Sequence, residues 1–409
     1  MAEPHRIVIV GAGLAGATAA ISLRKQGFDG DVLLLGAEHH RPYELPALSK
    51  SVLLHDTDEP DWVADENYYV KHGIDLRRGV EATRIELGAR TLTDVVGAEH
   101  SFDRLLLATG SRPRTLDVPG ADLPGVATLR TLDDALDLRT AIEDAQDVLI
   151  VGAGWIGCEA AAAARSAGAD VTVVEPQPLP LVSLGDDVAT VFRDLHADHG
   201  VQWRLATSVT RFLGDEQVDG AELSDGSHVA ADVVLVAVGA APRSQLARAA
   251  GLEVADDGGV DVDAGLRSAS PAIYAAGDVA AHFHPRYGRR IRVEHWANAK
   301  WQGEHVAGNL LGEHEPYTAT PYFFTDQYDL GCEYRGLADP DLDELVVRGD
   351  LGSREFIAFW RHGGRVTAAM NVNTFDDADA LRTLVDDRAA VTPEQLRDAD
   401  LADLADAVS

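Results

Sequence analysis

Two copies of one glycine pattern, each directly after a short apolar run, constrain this chain more than any other feature. The first is Gly11-Ala12-Gly13-Leu14-Ala15-Gly16, entered from Arg6-Ile7-Val8-Ile9-Val10. The second is Gly152-Ala153-Gly154-Trp155-Ile156-Gly157, entered from Asp147-Val148-Leu149-Ile150-Val151. The apolar runs predict buried strands, and the Ala-rich stretches that follow predict helices. In such a unit the first glycine makes the tight turn, and the second lets the backbone approach a pyrophosphate. The third allows helix and strand to pack closely, and the helix N-terminus faces the phosphates. One such pattern alone is weak evidence. Here both have a strand before, a helix after and a second strand beyond, so the chain is expected to bind two dinucleotides, most simply a flavin and a nicotinamide.

The rest of the chain fits around these units. The first continues into Asp31-Val32-Leu33-Leu34-Leu35 and reaches Glu38, an acid at the distance where a ribose hydroxyl is usually bound. A polar, Pro-containing loop follows over residues 41–50, and later a buried strand, Arg104–Leu107, ends in Ala108-Thr109-Gly110. The second unit repeats the order, with Val171–Val174 ending at Glu175 and Asp232–Val238 ending at Gly239. Ala272–Ala276 is a further strand, finishing at Gly277-Asp278. The domains expected are therefore residues 1–111 for the flavin, 112–238 for the nicotinamide, 239–310 returning to the flavin domain, and a C-terminal α+β domain over 311–409. In that last stretch Glu344–Arg348 and Phe356–Trp360 look like strands of an antiparallel sheet, followed by an acidic helical tail.

Composition narrows the function. At 409 residues the chain is long enough for two or three domains. Its formal charge of −32, from 35 basic and 67 acidic residues, argues against nucleic-acid binding, which needs a basic footprint. No apolar run approaches the roughly 18–20 residues of a membrane helix, and the first strand begins by Arg6, leaving no room for a signal peptide. No membrane partner is expected, and a cytoplasmic location is. The two cysteines, Cys158 and Cys332, are far apart, which excludes a disulfide framework and a four-cysteine cluster. No metal site is expected.

Longer segments carry a family resemblance. Arg-Pro-Tyr-Glu-Leu-Pro-Ala-Leu-Ser-Lys (41–50) resembles the RPYxRPPLSK loop of the FAD-dependent, NAD(P)H-using ferredoxin reductases, the group containing putidaredoxin reductase and the reductases of aromatic-ring dioxygenases. Leu45 and Ala47 depart from that loop. Residues 152–159 are similar to the family's GxGxIGxE, and residues 321–328, Pro-Tyr-Phe-Phe-Thr-Asp-Gln-Tyr, to its PYFWSDQY, with Phe324 in place of the usual Trp. Ala-Thr-Gly (108–110), Leu-Arg-Thr-Leu (129–132) and Gly277-Asp278 match as well. The resemblance spans nearly the whole chain and implies a glutathione-reductase-like α/β fold, with two Rossmann-type dinucleotide-binding domains and the α+β C-terminal domain.

What it implies for the residues is specific. Gly11, Gly13, Ala15 and Gly16 would hold the flavin pyrophosphate, Glu38 the adenosine ribose, and Arg41 the adenosine or phosphate side. Ala82 would meet adenine by its backbone, and Arg130 would contact the flavin domain. Asp278 would bond the ribityl chain, and the backbone at Trp296 would approach the isoalloxazine. Gly152, Gly154, Trp155, Ile156, Gly157 and Glu175 would serve NADH, and Ala108, Thr109, Gly110, Gly239 and Gly277 complete the cofactor-binding set. Lys50 and Glu159 would meet beside the flavin and tune it by placing a positive charge near the site of reduction.

The implied activity is FAD-dependent transfer of electrons from NADH to a small iron–sulfur ferredoxin serving a cytochrome P450 or Rieske oxygenase, by a monomer or homodimer. Rubredoxin reduction and direct NADH oxidation share every motif. A regulatory flavoprotein resembling apoptosis-inducing factor would share the fold, but basic stretches would be expected there. Related thiol-using enzymes keep a redox cysteine in the 41–50 loop, where this chain has Ala47-Leu48-Ser49. The densest basic run, His284–Arg292, is the candidate docking patch for an acidic ferredoxin.

Overall fold

The computed structural model describes residues 3–408 and divides into two compact units. One comprises Met1–Leu45, Pro60–Arg112 and Ala240–Ala319; the other comprises Pro46–Glu59, Pro113–Gly239 and Thr320–Ser409.

The first unit is built on a parallel sheet of five strands, ordered Ile273–Ala275, Arg104–Leu107, Arg6–Val10, Asp31–Gly36, Ile74–Arg78. Its central strands are apolar without alternation because both faces are covered, and Ile7, Val8, Ile9, Leu34 and Leu105 are fully buried. Helix Leu14–Lys25 follows the first strand and ends at Gln26, with Gly27 at φ +85° reversing the chain. It packs on helix Trp296–Leu311. The approach is close because Gly303 has no side chain: a Cβ there would lie 2.5 Å from the carbonyl oxygen of Ala15.

The second unit repeats the plan. Its parallel sheet runs Gln202–Leu205, Asp170–Glu175, Asp147–Val151, Val233–Val236, Val126–Ala127. Helix Trp155–Ser166 buries Ala160, Ala161, Ala163 and Ala164 against this sheet. Helix Leu132–Asp144 starts on a capping box in which Thr131 and Asp134 satisfy each other's backbone N–H groups. The segment Pro46–Glu59, placed by the sequence with the first domain, packs in this second unit. Its Leu53 enters the same core as Leu138 and Ile142, which removes apolar surface from water where the loop would otherwise be exposed.

The C-terminal part of the second unit is an antiparallel sheet ordered Tyr322–Gln327, Leu330–Gly336, Arg365–Val372, Glu355–His362, Glu344–Asp350. Strand alternation sorts its side chains between two cores. Phe356, Ala358 and Trp360 pack with Phe192 and Cys158, whereas Ile357 and Phe359 pack with Leu381 and Leu384 of the terminal helices.

Candidate functional site

The turn after strand Arg6–Val10 has the shape a pyrophosphate requires. A Cβ on Gly11 would lie 2.1 Å from the carbonyl oxygen of Ala108, and one on Gly16 would lie 1.9 Å from that of Gly11. At Gly13 nothing lies within 4 Å. Gly13 is also the N-cap of helix Leu14–Lys25 and supplies no side-chain cap, which leaves the N–H groups of the first turn for an anion. Two glycines are thus needed for packing, and the third leaves the turn open. Ala15 takes a packing role, since a Cβ on Gly277 would lie 3.0 Å from its side chain. Its small size brings the Gly277-Asp278 turn up to the helix N-terminus.

Other expected flavin residues lie in the same unit. Glu38 sits just past strand Asp31–Gly36, where the Tyr43 hydroxyl donates to its Oε2 at 2.6 Å. The Arg41 guanidinium lies 4.1 Å from the centre of the Trp62 ring, a cation–π contact. Trp62 was not marked by the sequence; it meets Tyr43 edge-on across an isolated bridge. Asp278 is buried, and the preceding Gly277 N–H donates to Gln302 Oε1 at 2.8 Å. Trp296 opens its helix and donates from Nε1 to Glu44 Oε2 at 2.7 Å. Ala82 begins a strand paired with Asp94, and the Thr109 hydroxyl donates to the Arg243 carbonyl at 2.7 Å beside Gly110.

The second glycine turn has the same geometry. Cβ atoms on Gly152 and Gly157 would lie 2.5 Å and 2.0 Å from the carbonyl oxygens of Ala237 and Gly152, and Gly154 is open. Glu175 stands at its mouth, with Oε2 accepting from the Ala153 N–H at 2.8 Å and Oε1 from the Gln177 N–H at 3.0 Å. Trp155 packs between Phe192 and Phe323, whereas Ile156 remains 43% exposed beside Gly154. Trp155 is therefore partly buried against the neighbouring aromatic core, and Ile156 is the more exposed of the two. Gly239, at φ +94°, accepts from the Arg114 N–H at 2.9 Å, and the Arg130 N–H donates to Asp134 at the cap of helix Leu132–Asp144.

Lys50 and Glu159 form an ion pair inside this second unit, with the carboxylate buried and the ammonium half-buried. The short helix Pro46–Ser49 delivers two donors to Glu159, Ser49 Oγ to Oε2 and Lys50 Nζ to Oε1. A third comes from Thr325, whose hydroxyl donates to Oε1 at 2.6 Å. The Phe324 ring lies 5.3 Å from Lys50 Nζ. Ser49 lies in the 41–50 segment and Thr325 in 321–328, and no local pattern marks either as a partner of Glu159. Cys158 and Cys332 are free and buried, and burial pushes both thiols well up from their ordinary range, so neither supplies a thiolate.

Two fully buried histidines make the protein acid-sensitive. Burial holds His282 down to about 3 and His196 down to about 4. Each is neutral when folded but charges near 6.5 when unfolded, so the unfolded chain binds more protons between these values. Stability is then complete above about pH 6.5 and is lost as pH falls toward 4, by on the order of 3 kcal/mol for His196 alone. Urea unfolding at stepped pH is expected to show this loss, and a flat midpoint between pH 6.5 and 4.5 would contradict it.

Comparison with known proteins agrees with this geometry. Residues 5–303 match the pyridine nucleotide-disulphide oxidoreductase family, and residues 322–407 match the reductase C-terminal family. The anthranilate 1,2-dioxygenase system ferredoxin–NAD(+) reductase component of Burkholderia cepacia is 40% identical over 396 residues, covering 96% of each chain. Among solved structures, the ferredoxin reductase for the CYP199A2 system of Rhodopseudomonas palustris has a TM-score of 0.94 at 36% identity, covering 98% of this chain and all of that one. The reductase in a covalent putidaredoxin reductase–putidaredoxin complex also has a TM-score of 0.94, at 32% identity over 99% of each chain.

The chain belongs to the pyridine nucleotide-disulphide oxidoreductase family. It is an oxidoreductase of the glutathione-reductase-like fold with a reductase C-terminal domain, and FAD and NAD(H) are its cofactors. The open Gly13 and Gly154, each capping a helix that has no side-chain cap, fit the two pyrophosphates.

Proposed function

We propose that this protein passes electrons from NADH through FAD to a small iron–sulfur ferredoxin that serves a cytochrome P450 or Rieske oxygenase. The observation that carries the reading is the Lys50–Glu159 pair: a charged pair follows the turn where thiol-using relatives keep a redox cysteine. When bound, FAD accepts hydride from the nicotinamide and gives up electrons singly. The chain's own contribution is to hold the two pyrophosphates on its open glycines, select the adenosine ribose of NADH with Glu175, and present the Lys50 charge. With both thiols buried, the electrons leave for a separate acceptor. The setting proposed is cytoplasmic, where NADH is regenerated, and the active species a monomer or homodimer. Comparing oxygenase-type ferredoxin, rubredoxin and oxygen as acceptors under steady-state NADH turnover tests the reading: ferredoxin is expected to be reduced at least tenfold faster than either. Faster oxygen consumption would favour an oxidase.

Docking of an acidic ferredoxin on a chain of charge −32 calls for local positive charge. The structure narrows the basic run. Arg290 is paired with Asp261, and Arg292 with Asp257 and Glu294, while Arg289 is exposed without a carboxylate partner among the described residues. We therefore place the docking charge at Arg289. Arg289→Glu is expected to slow ferredoxin reduction by roughly three- to tenfold at low salt and flatten its salt dependence, with dye reduction unchanged. Equal loss of both activities would make the residue structural.

A further inference from the structure

The Thr325 hydroxyl is the end of a longer buried chain of hydrogen bonds, all within the second unit. Thr325 and Gln327 are two apart on strand Tyr322–Gln327, so both side chains point to one face, and both are almost fully buried. Gln327 Nε2 lies 3.2 Å from Thr325 Oγ1. Its Oε1 lies 2.9 Å from Nε2 of His196, in the last turn of helix Asp186–Asp198. His196 Nδ1 in turn lies 3.4 Å from the Tyr328 hydroxyl, whose ring stacks on His199 with centroids 3.7 Å apart.

The chemistry of each group fixes the direction of this chain. An ionised carboxylate only accepts, so the Thr325 hydroxyl gives its proton to Glu159 and its oxygen must accept from elsewhere. The group within reach is the Gln327 amide, which therefore turns its NH2 toward Thr325 and its carbonyl toward His196. That carbonyl requires an N–H from His196 Nε2, leaving Nδ1 to accept from Tyr328. Every link donates toward Glu159. The amide cannot pass a proton along, so the chain orients groups and does not conduct.

We propose that Thr325, Gln327 and His196 are positioning residues for the Lys50–Glu159 pair, a directional chain that holds the Glu159 carboxylate in place as the acceptor for Lys50. The neutral state of His196, held down by burial, suits the single N–H that the chain demands. The functional consequence rests on the proposed role of Lys50: the strand Tyr322–Gln327 would then govern how firmly the positive charge is held.

The chain has only four lysines, Lys25, Lys50, Lys71 and Lys300, which makes Lys50 directly measurable. The FAD-loaded protein is treated briefly with acetic anhydride, and acetylation of Lys50 is read by mass spectrometry against the exposed Lys25 and Lys71. Thr325→Val, which keeps the shape and removes the hydroxyl, is expected to raise relative Lys50 acetylation about three- to tenfold, the range for losing an ordinary net hydrogen bond. Thr325→Ser is expected to restore the wild-type ratio. Gln327→Met, which leaves Thr325 intact but undirected, is expected to move the ratio the same way by a smaller factor and serves if Thr325→Val does not fold. A wild-type ratio in the folded valine or methionine variant would overturn the proposal. This readout does not depend on flavin tuning, which fails separately if Lys50→Met leaves flavin potential and reduction rate unchanged.

Discussion

NADH is expected to be used roughly 30- to 1000-fold better than NADPH in kcat/KM, equivalent to about 2–4 kcal/mol of discrimination. Glu175 ends its strand eighteen residues past Gly157, and its carboxylate is fixed at the mouth of the glycine turn by the Ala153 and Gln177 N–H groups. Each oxygen accepts one backbone bond and retains a lone pair for a ribose hydroxyl. A 2′-phosphate there would bring two negative charges against the carboxylate and lose that hydrogen bond. Enzymes that prefer NADPH supply arginines in the following loop, whereas residues 176–182 read Pro-Gln-Pro-Leu-Pro-Leu-Val, without a cation. Glu175→Gln removes the repulsion yet keeps an acceptor, so its preference should fall by about tenfold or more. Glu175→Ala should fall further and weaken NADH as well. Equal use of both cofactors by the wild type would sink the assignment, and an unchanged ratio in Glu175→Gln would exonerate the charge.

Lys50→Met is expected to slow flavin reduction by NADH by roughly tenfold to a hundredfold, with FAD retained. A fixed positive charge stabilises negative charge arriving at a water-poor site, and its loss should move the flavin potential to more negative values. The substitution also leaves Glu159 buried without its cation, which is costly in itself. The double variant Lys50→Met/Glu159→Gln separates the two effects. If the ammonium matters for its charge, the double variant stays slow; recovery to the wild-type rate would show that only the orphaned carboxylate was harmful.

Much of this architecture was legible in the sequence because its determinants are local. A parallel strand covered on both faces is a continuous apolar run, and the glycine spacing follows from contacts within one turn and its neighbouring strand, as at Gly11 against Ala108. The position of Glu175 at the second turn was legible for the same reason. The remainder depends on residues that only the fold brings together. Ser49 and Thr325 reach Glu159 across 110 and 166 residues, and nothing near Glu159 announces them. Trp62 becomes a platform for Arg41 only when two loops meet. The basic run looked like a patch until the fold set Asp261 against Arg290, 29 residues away. Charges counted along a chain overstate a patch whenever the fold supplies their partners.

Electron stoichiometry under anaerobic conditions tests the proposed activity most directly. The FAD-loaded protein, in catalytic amount, is mixed with limiting NADH and an excess of an oxidised [2Fe–2S] ferredoxin from an aromatic-ring oxygenase system, and both absorbances are followed. Two ferredoxins are expected to be reduced for each NADH consumed, because the nicotinamide yields two electrons together and a [2Fe–2S] centre takes one. Flavin bleached by NADH while such ferredoxins remain oxidised would contradict the assignment.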